Sequence, residues 1–249
     1  MINKIVNEIF VGIMSNVKTF IIPIFLLLFF PAAVSSEVIV HDMIALQGEE
    51  IMLKAETRGK LLSKGGEVIE FFVNGKSLGK TLSGGDGFAF KQFVPSGAGT
   101  YKITARTGKE EDGGMLIALR KGGQILFVDV EGTLFEGVFS AKPKMGSKET
   151  VKKLSGRFPV VLLQTGMLNA KAVKSWLKEN GFKELPVIPW KQGMIFDEIK
   201  EKGLRIKAII GSRSVIESAR EYKPKAYTFE EAEDAKEVKD WEEIGKKLK

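Results

Sequence analysis

Ile125-Leu126-Phe127-Val128-Asp129-Val130-Glu131-Gly132-Thr133-Leu134 is the stretch that decides the fold. Four apolar residues run without a polar break, as in a strand buried on both faces of a parallel sheet. The run ends in two carboxylates one residue apart, and Gly132 lets the chain turn tightly behind them. Downstream the pattern repeats. PVVLLQT (159–165), IKAIIG (206–211) and KAYTF (225–229) read as a second, third and fourth strand. Between them SKETVKKLSG reads as a helix capped by Ser147 and stopped near Gly156. NAKAVKSWLKENG reads as another, with Asn169 as cap, Gly181 as stop and Ala170, Val173 and Leu177 on one face. The helix SVIESAREY follows the third strand, and a final helix carries Val238, Trp241 and Leu248. Strands alternating with helices predict a mostly parallel, doubly wound α/β sheet, whose sites form beyond the carboxyl ends of the strands. Thr165 ends the second strand there, and Gly211-Ser212-Arg213-Ser214 ends the third.

Upstream of Gly122-Gly123 the periodicity is different. Residues 37–122 alternate short β-rich runs with turns: VIVHDMIAL, EEIMLKAET, EVIEFFVNG, KSLGKTLSG, GFAFKQFVP, AGTYKITAR and MLIALR. Asn74-Gly75 signals a type I′ hairpin turn. About seven strands at this spacing predict an all-β, immunoglobulin-like sandwich. The phrases EVIEFFVNGKSLG and GTYKITA (99–105) resemble bacterial immunoglobulin-like domains, which places Tyr101 at a tyrosine corner and implies a spacer or adhesion module. The expected order is a signal peptide (1–36), the sandwich (37–122) and the α/β domain (123–249).

The signal peptide is read from FIIPIFLLLFF (20–30), an apolar core too short for a comfortable membrane span, followed by the small residues PAAVSS and preceded by Lys18. Ala33 and Ser35 fit a small-x-small cleavage rule. Met14 opens a compact leader by itself and is a candidate true start. The implied destination is periplasmic or extracellular, with a membrane-anchored chain as the alternative where the leader stays uncleaved.

The 249 residues contain no cysteine and one histidine, His41. Disulfides, thiol nucleophiles, multi-histidine metal sites and any Ser-His-Asp triad without His41 are excluded. His41 falls in an expected edge strand as a structural residue. The net charge of +7 arises from lysines interleaved with glutamates, a solvated surface rather than a nucleic-acid footprint.

Asp129-Val130-Glu131-Gly132-Thr133, with Thr165 and the late glycine loop in order, resembles the haloacid dehalogenase (HAD) superfamily from about Gln124 to Lys249. The resemblance implies Asp129 as phosphoryl-accepting nucleophile, Glu131 as acid/base, Thr133 as support and Thr165 as phosphate ligand. Lys191 is the implied neutralising lysine, with Lys200 and Lys207 as competitors. The implied cofactor is Mg2+, on Asp129, the Glu131 main chain and a fourth-motif acid. That motif departs from the family pattern: Ser212 stands for its first acid and Ile216 for its second, with Glu217 one place late. The expected metal site is therefore weak, on Ser212 or Glu217. Two functions follow: an exported phosphohydrolase working through an aspartyl-phosphate, or a catalytically silent relative that binds a phosphate-bearing ligand or a partner at the cell envelope. Neither 134–158 nor 166–190 is long enough for a cap domain, so the Asp129 pocket is expected to be open, suited to a large ligand, and not covered by the sandwich.

Overall fold

The structure is a computed structural model that describes residues 37–59, 62–137, 140 and 142–248. The expected leader lies outside the described residues. Eight strands build the sandwich: β1 (Glu37–Val40), β2 (Met43–Leu46), β3 (Ile51–Arg58), β4 (Val68–Val73), β5 (Lys76–Leu82), β6 (Phe88–Phe93), β7 (Gly99–Thr107) and β8 (Glu110–Leu119). They form one sheet in the order β1-β3-β6 and another in the order β2-β8-β7-β4-β5. All pairs are antiparallel except β2 with β8. Two such sheets, with the first strand shared between them, define an immunoglobulin-like sandwich. Leu53, Ala55, Ile69, Phe71, Ile103, Ala105 and Leu116 fill the space between the sheets. Asn74 and Gly75 both have positive φ, 49° and 79°, as a type I′ turn requires. The Tyr101 hydroxyl donates to the Gly97 carbonyl at 2.8 Å and accepts from the Gly97 N–H at 2.9 Å, the expected tyrosine corner.

VIVHDMIAL is not one strand. It breaks at His41-Asp42, and the chain crosses from β1 in one sheet to β2 in the other. The Asp42 carboxylate causes the break. Its side chain is fully buried and accepts from Met115 N–H (2.8 Å), Val187 N–H (2.7 Å) and Lys174 Nζ (2.6 Å), so it cannot face solvent as strand alternation would demand. Gly114 makes room for the crossing: a Cβ there would lie 2.6 Å from Val40 Cγ1 and 2.9 Å from Asp42 Oδ1.

His41 sits beside this crossing rather than in a strand, 3.8 Å from the Glu56 carboxylate, with its Nε2 buried and unbonded. Burial, then the charge of Lys54, holds its pKa below 6.5; Glu56 pulls the other way, and Lys174 and Arg58 add to the lowering. A depressed folded pKa means that the neutral ring is the form the fold favours. That stability is present above the unfolded value of 6.5 and is lost as the pH falls below it. The melting temperature should decline as the pH drops from neutral through this range, and His41→Gln should flatten the upper part of that decline. Parallel curves for the two proteins would show that His41 takes no part.

The α/β domain contains β9 (Gln124–Asp129), a wide helical turn at Val130–Leu134, α1 (Ser147–Ser155), β10 (Val160–Gln164), α2 (Ala170–Glu179), β11 (Val187–Pro189), α3 (Met194–Glu201), β12 (Arg205–Ile210), α4 (Arg213–Ser218), β13 (Lys225–Thr228), β14 (Lys236–Glu237) and α5 (Trp241–Lys247). Six parallel strands lie in the order β11-β10-β9-β12-β13-β14. The chain winds outward from β9 in one direction and returns to wind in the other, so the topological switch lies at the carboxyl end of β9, at Asp129. Alternate β9 residues serve two cores. Leu126 and Val128 pack with α1, α2 and α5, while Ile125 and Phe127 pack with α3 and α4.

Several expectations need correction. Six strands replace the four read from sequence: β11 and β14 are only three and two residues long, and α3 was not anticipated. Ser147 is the first residue of α1 and does not cap it; Gly146, at φ 76°, is the N-cap, and the Ser147 hydroxyl is buried without a partner. Val238 precedes α5 rather than belonging to it. Asn169 does cap α2, accepting from Ala172 N–H at 2.9 Å.

The sandwich and the α/β domain share a core. Ile44 and Leu46 of β2 and Ile117 and Leu119 of β8 are buried in the same cluster as Ile125, Phe127, Ile188 and Phe196. Among the described residues the short helices α3 and α4 cover that face of the sheet, and the sandwich supplies apolar surface beside them. The polar contacts lie along the β11 edge: Asp42 with Lys174 and Val187 N–H, and Glu37 with Lys171.

Candidate functional site

The residues singled out from sequence meet at the carboxyl ends of β9, β10 and β12. Asp129 ends β9. Glu131 and Gly132 lie in the wide turn behind it, which is held from below: Thr133 Oγ1 donates to the Asp129 carbonyl (2.5 Å), and Trp241 Nε1–H donates to the Thr133 carbonyl (3.0 Å). Trp241 is itself fully buried. Thr165 follows β10, and Ser212 follows β12.

The cup they make is closed. Asp129 is 0% exposed, and both carboxylate oxygens are committed. Oδ1 accepts from Gly132 N–H (2.9 Å) and Thr165 Oγ1 (2.5 Å). Oδ2 accepts from Ser212 N–H (3.1 Å) and Ser212 Oγ (2.7 Å). Glu131 Oε2 accepts from Thr165 N–H at 2.9 Å and lies 3.3 Å from Thr165 Oγ1, whereas Oε1 is buried with no partner. Two glycines are obligatory here, and only one was read from sequence. A Cβ on Gly132 would stand 2.2 Å from Asp129 Oδ2, and one on Gly166 would stand 2.9 Å from the Glu131 Cγ. Gly166 directly after the strand-ending Thr165 was the available signal. The open pocket expected from the lack of a cap is therefore not seen at Asp129: loop backbone and two hydroxyls close it, without a cap and without the sandwich.

The remaining expectations divide. Lys200 stacks on the Tyr222 ring and Lys207 on the Phe158 ring, Lys207 as the extra residue of a bulge near the start of β12. Both belong to the amino ends of the strands, opposite the cup. Lys191 is at the correct end, just beyond β11, exposed and with φ 48°. Glu217 is not at the cup; it lies exposed on α4, paired with Arg213 at 3.7 Å.

The Mg2+ implied by the resemblance does not fit these residues. Among the described residues no three acid or histidine side chains are grouped to hold a metal ion. Both Asp129 oxygens already accept two hydrogen bonds, Oδ1 from Gly132 and Thr165 and Oδ2 from Ser212. Magnesium demands oxygen ligands in near-ideal geometry, and N–H and O–H protons occupy that approach.

No family model matches the chain, and no curated protein matches it. Among solved structures it is similar to the D00-D0 domain of intimin, at 14% identity over 34% of this chain and 46% of that one, with a TM-score of 0.27. It is similar to the fibronectin(III)-like modules of Clostridium thermocellum CbhA, at 14% identity over 33% and 97% of the two chains and a TM-score of 0.25. It is also similar to the Yersinia pseudotuberculosis adhesin InvE, at 10% identity over 36% and 33% and a TM-score of 0.29. The match spans less than half the length of the intimin and InvE chains. The sandwich is defined by its own strand pairing and by the Tyr101 corner, not by these likenesses. Among the described residues no helix is long and apolar enough to cross a membrane.

Proposed function

We propose that this chain is an exported, non-hydrolytic module of the cell envelope, in which an immunoglobulin-like sandwich and an α/β domain of the HAD type share a core and act by binding a macromolecular partner. The observation that carries this reading is the state of Asp129: fully buried, with two hydrogen-bond donors on each oxygen. In-line attack on phosphorus needs a lone pair within about 3–3.5 Å of the reacting atom, and the two bonds on one carboxylate oxygen would have to rearrange to free it. The donors that could have cradled a phosphate, namely Gly132 N–H, Thr165 N–H and O–H and Ser212 N–H and O–H, are turned inward onto the two carboxylates. A phosphate-bearing ligand is the less favoured partner for that reason. Export is supported by the apolar leader and the small residues that follow it.

A second reading, the aspartyl-phosphate hydrolase, is favoured by one fact: Asp129, Glu131 and Thr165 are drawn into a single cup. The two readings separate in a hydrolysis assay with an aryl phosphate and excess magnesium. The expected result is no turnover above that of Asp129→Asn. Hydrolysis that disappears in Asp129→Asn would overturn the non-hydrolytic reading.

A further inference from the structure

We infer that the partner is an acidic polysaccharide, held at the amino ends of the parallel strands, the end of the sheet opposite the cup. This deepens the binding reading above and rests on it. A cation stands at the start of each of four neighbouring strands, β10, β9, β12 and β13. Arg157 precedes β10, Lys121 precedes β9, Arg205 and Lys207 belong to the start of β12, and Lys223 and Lys225 lead into β13. At about 4.8 Å between strands, the row is about 14 Å wide. All six are exposed except Lys207, which is half-buried. Among the described residues none of the six forms an ion pair, and the acids nearest them in the chain, Glu201 and Glu221, form none either. The carboxyl end of α1 accounts for a cation at Arg157. It does not account for Lys121, Arg205, Lys207 or Lys225, which belong to strands. In the sequence these cations are far apart and interleaved with acids, so the row exists only in the fold.

A cavity of about 300 Å3 opens at this row, between α3 and the turn before β13. Phe196, Ile199 and Leu204 give it an apolar floor, while Gln124, Arg205 and Glu221 bring polar groups to its exposed side. A sugar ring has the same two-sided character, with apolar C–H faces and a hydroxyl edge. An acidic polymer adds carboxylates at regular intervals for the cations on either side. A bilayer fits less well: the exposed large hydrophobic side chains of the α/β domain, Met145, Met167, Leu168 and Met194, lie in or beside the loops at the carboxyl ends of the strands, so none can enter acyl chains from this face. Single-stranded nucleic acid also fits less well, because Lys200 lies over the Tyr222 ring and Lys207 over the Phe158 ring, where a base would stack.

The test measures binding of the purified protein to immobilised polygalacturonate, with dextran as the neutral polysaccharide, and to polyphosphate, single-stranded DNA and phosphatidylglycerol vesicles. The natural protein should bind polygalacturonate at low salt, release it as sodium chloride rises, and ignore dextran. Arg157→Glu/Lys225→Glu should lose affinity at least roughly tenfold. Lys76→Glu/Lys80→Glu changes the net charge equally but lies on β5 of the sandwich, and should stay within about twofold of the natural protein. Arg157→Gln/Lys225→Gln should fall between them, and takes the place of the reversed pair if that chain does not fold. No binding to polygalacturonate would overturn the inference, and so would equal losses in the two reversed pairs. Tighter binding to polyphosphate, DNA or vesicles would overturn it too, and would assign the face to that class instead. The hydrolysis assay stays separate: turnover that depends on Asp129 removes the non-hydrolytic reading, whereas failure to bind with no turnover removes only this inference.

Discussion

Asp42→Ala should cost the chain about 3–5 kcal/mol of stability, the usual loss when one partner of a buried ion pair is removed. The Asp42 side chain is fully buried, and three donors converge on it: Lys174 Nζ from α2, Met115 N–H from β8 and Val187 N–H from the edge strand β11. Burial pushes its carboxyl above the usual carboxylate range, and Lys174 opposes that rise, followed by the two backbone N–H groups. Alanine removes the acceptor and leaves a lysine and two amides facing a gap of side-chain size. The loss should be felt across the domain junction, because these donors come from both sides of it. At about 2–4 °C per kcal/mol for a chain of this size, the melting temperature should fall by roughly 10 °C. The calorimetric transition should also broaden or split as the sandwich and the α/β domain uncouple. A single sharp transition shifted by only a degree or two would mean that water enters the gap and satisfies the donors.

The same residue marks the limit of what the sequence discloses. The sandwich could be read in advance because its information is local: alternation, the Asn74-Gly75 turn and a tyrosine two residues into a strand. The central parallel strands were legible because burial on both faces leaves an unbroken apolar run, as at Ile125–Val128. Asp42 was not legible. Its partners lie 73, 132 and 145 residues away, so nothing nearby explains an acid in the middle of VIVHDMIAL. It was absorbed into a strand that in fact changes sheets there. The shortest strands were lost for the opposite reason: β11 and β14 carry too few residues to show any period. At the cup, the sequence identified which residues meet but not which way their donors point. By the resemblance Thr165 is a phosphate ligand and Ser212 stands at the position of a metal acid, roles that imply donors turned toward a ligand. In the fold they face inward, because a buried Asp129 would otherwise be left without hydrogen bonds.

Inward-facing donors give Asp129→Ala a definite sign. Where acidic groups are held together for chemistry, removing one commonly raises stability, because function was maintained against repulsion and strain. Here the carboxylate is the acceptor that joins β9 to the loops after β10 and β12, so its removal should lower stability. Four hydrogen bonds disappear with it. Two of the donors can recover: Thr165 Oγ1 can turn to Glu131 Oε2, now 3.3 Å away, and Ser212 Oγ to Ser214 Oγ at 3.4 Å. The backbone N–H groups of Gly132 and Ser212 cannot turn. At about 1–3 kcal/mol for each of these two part-buried amides left unbonded, the expected loss is about 2–6 kcal/mol, with water access at Gly132 favouring the low end, measured by urea unfolding of the purified protein. Asp129→Asn should fall between the two, since an amide keeps one acceptor oxygen but sets an NH2 against donors on its other side. A gain in stability for Asp129→Ala, with Asp129→Asn also above the natural protein, would mark the cup as a site kept for catalysis and would count against the closed, hydrogen-bonded arrangement as its purpose.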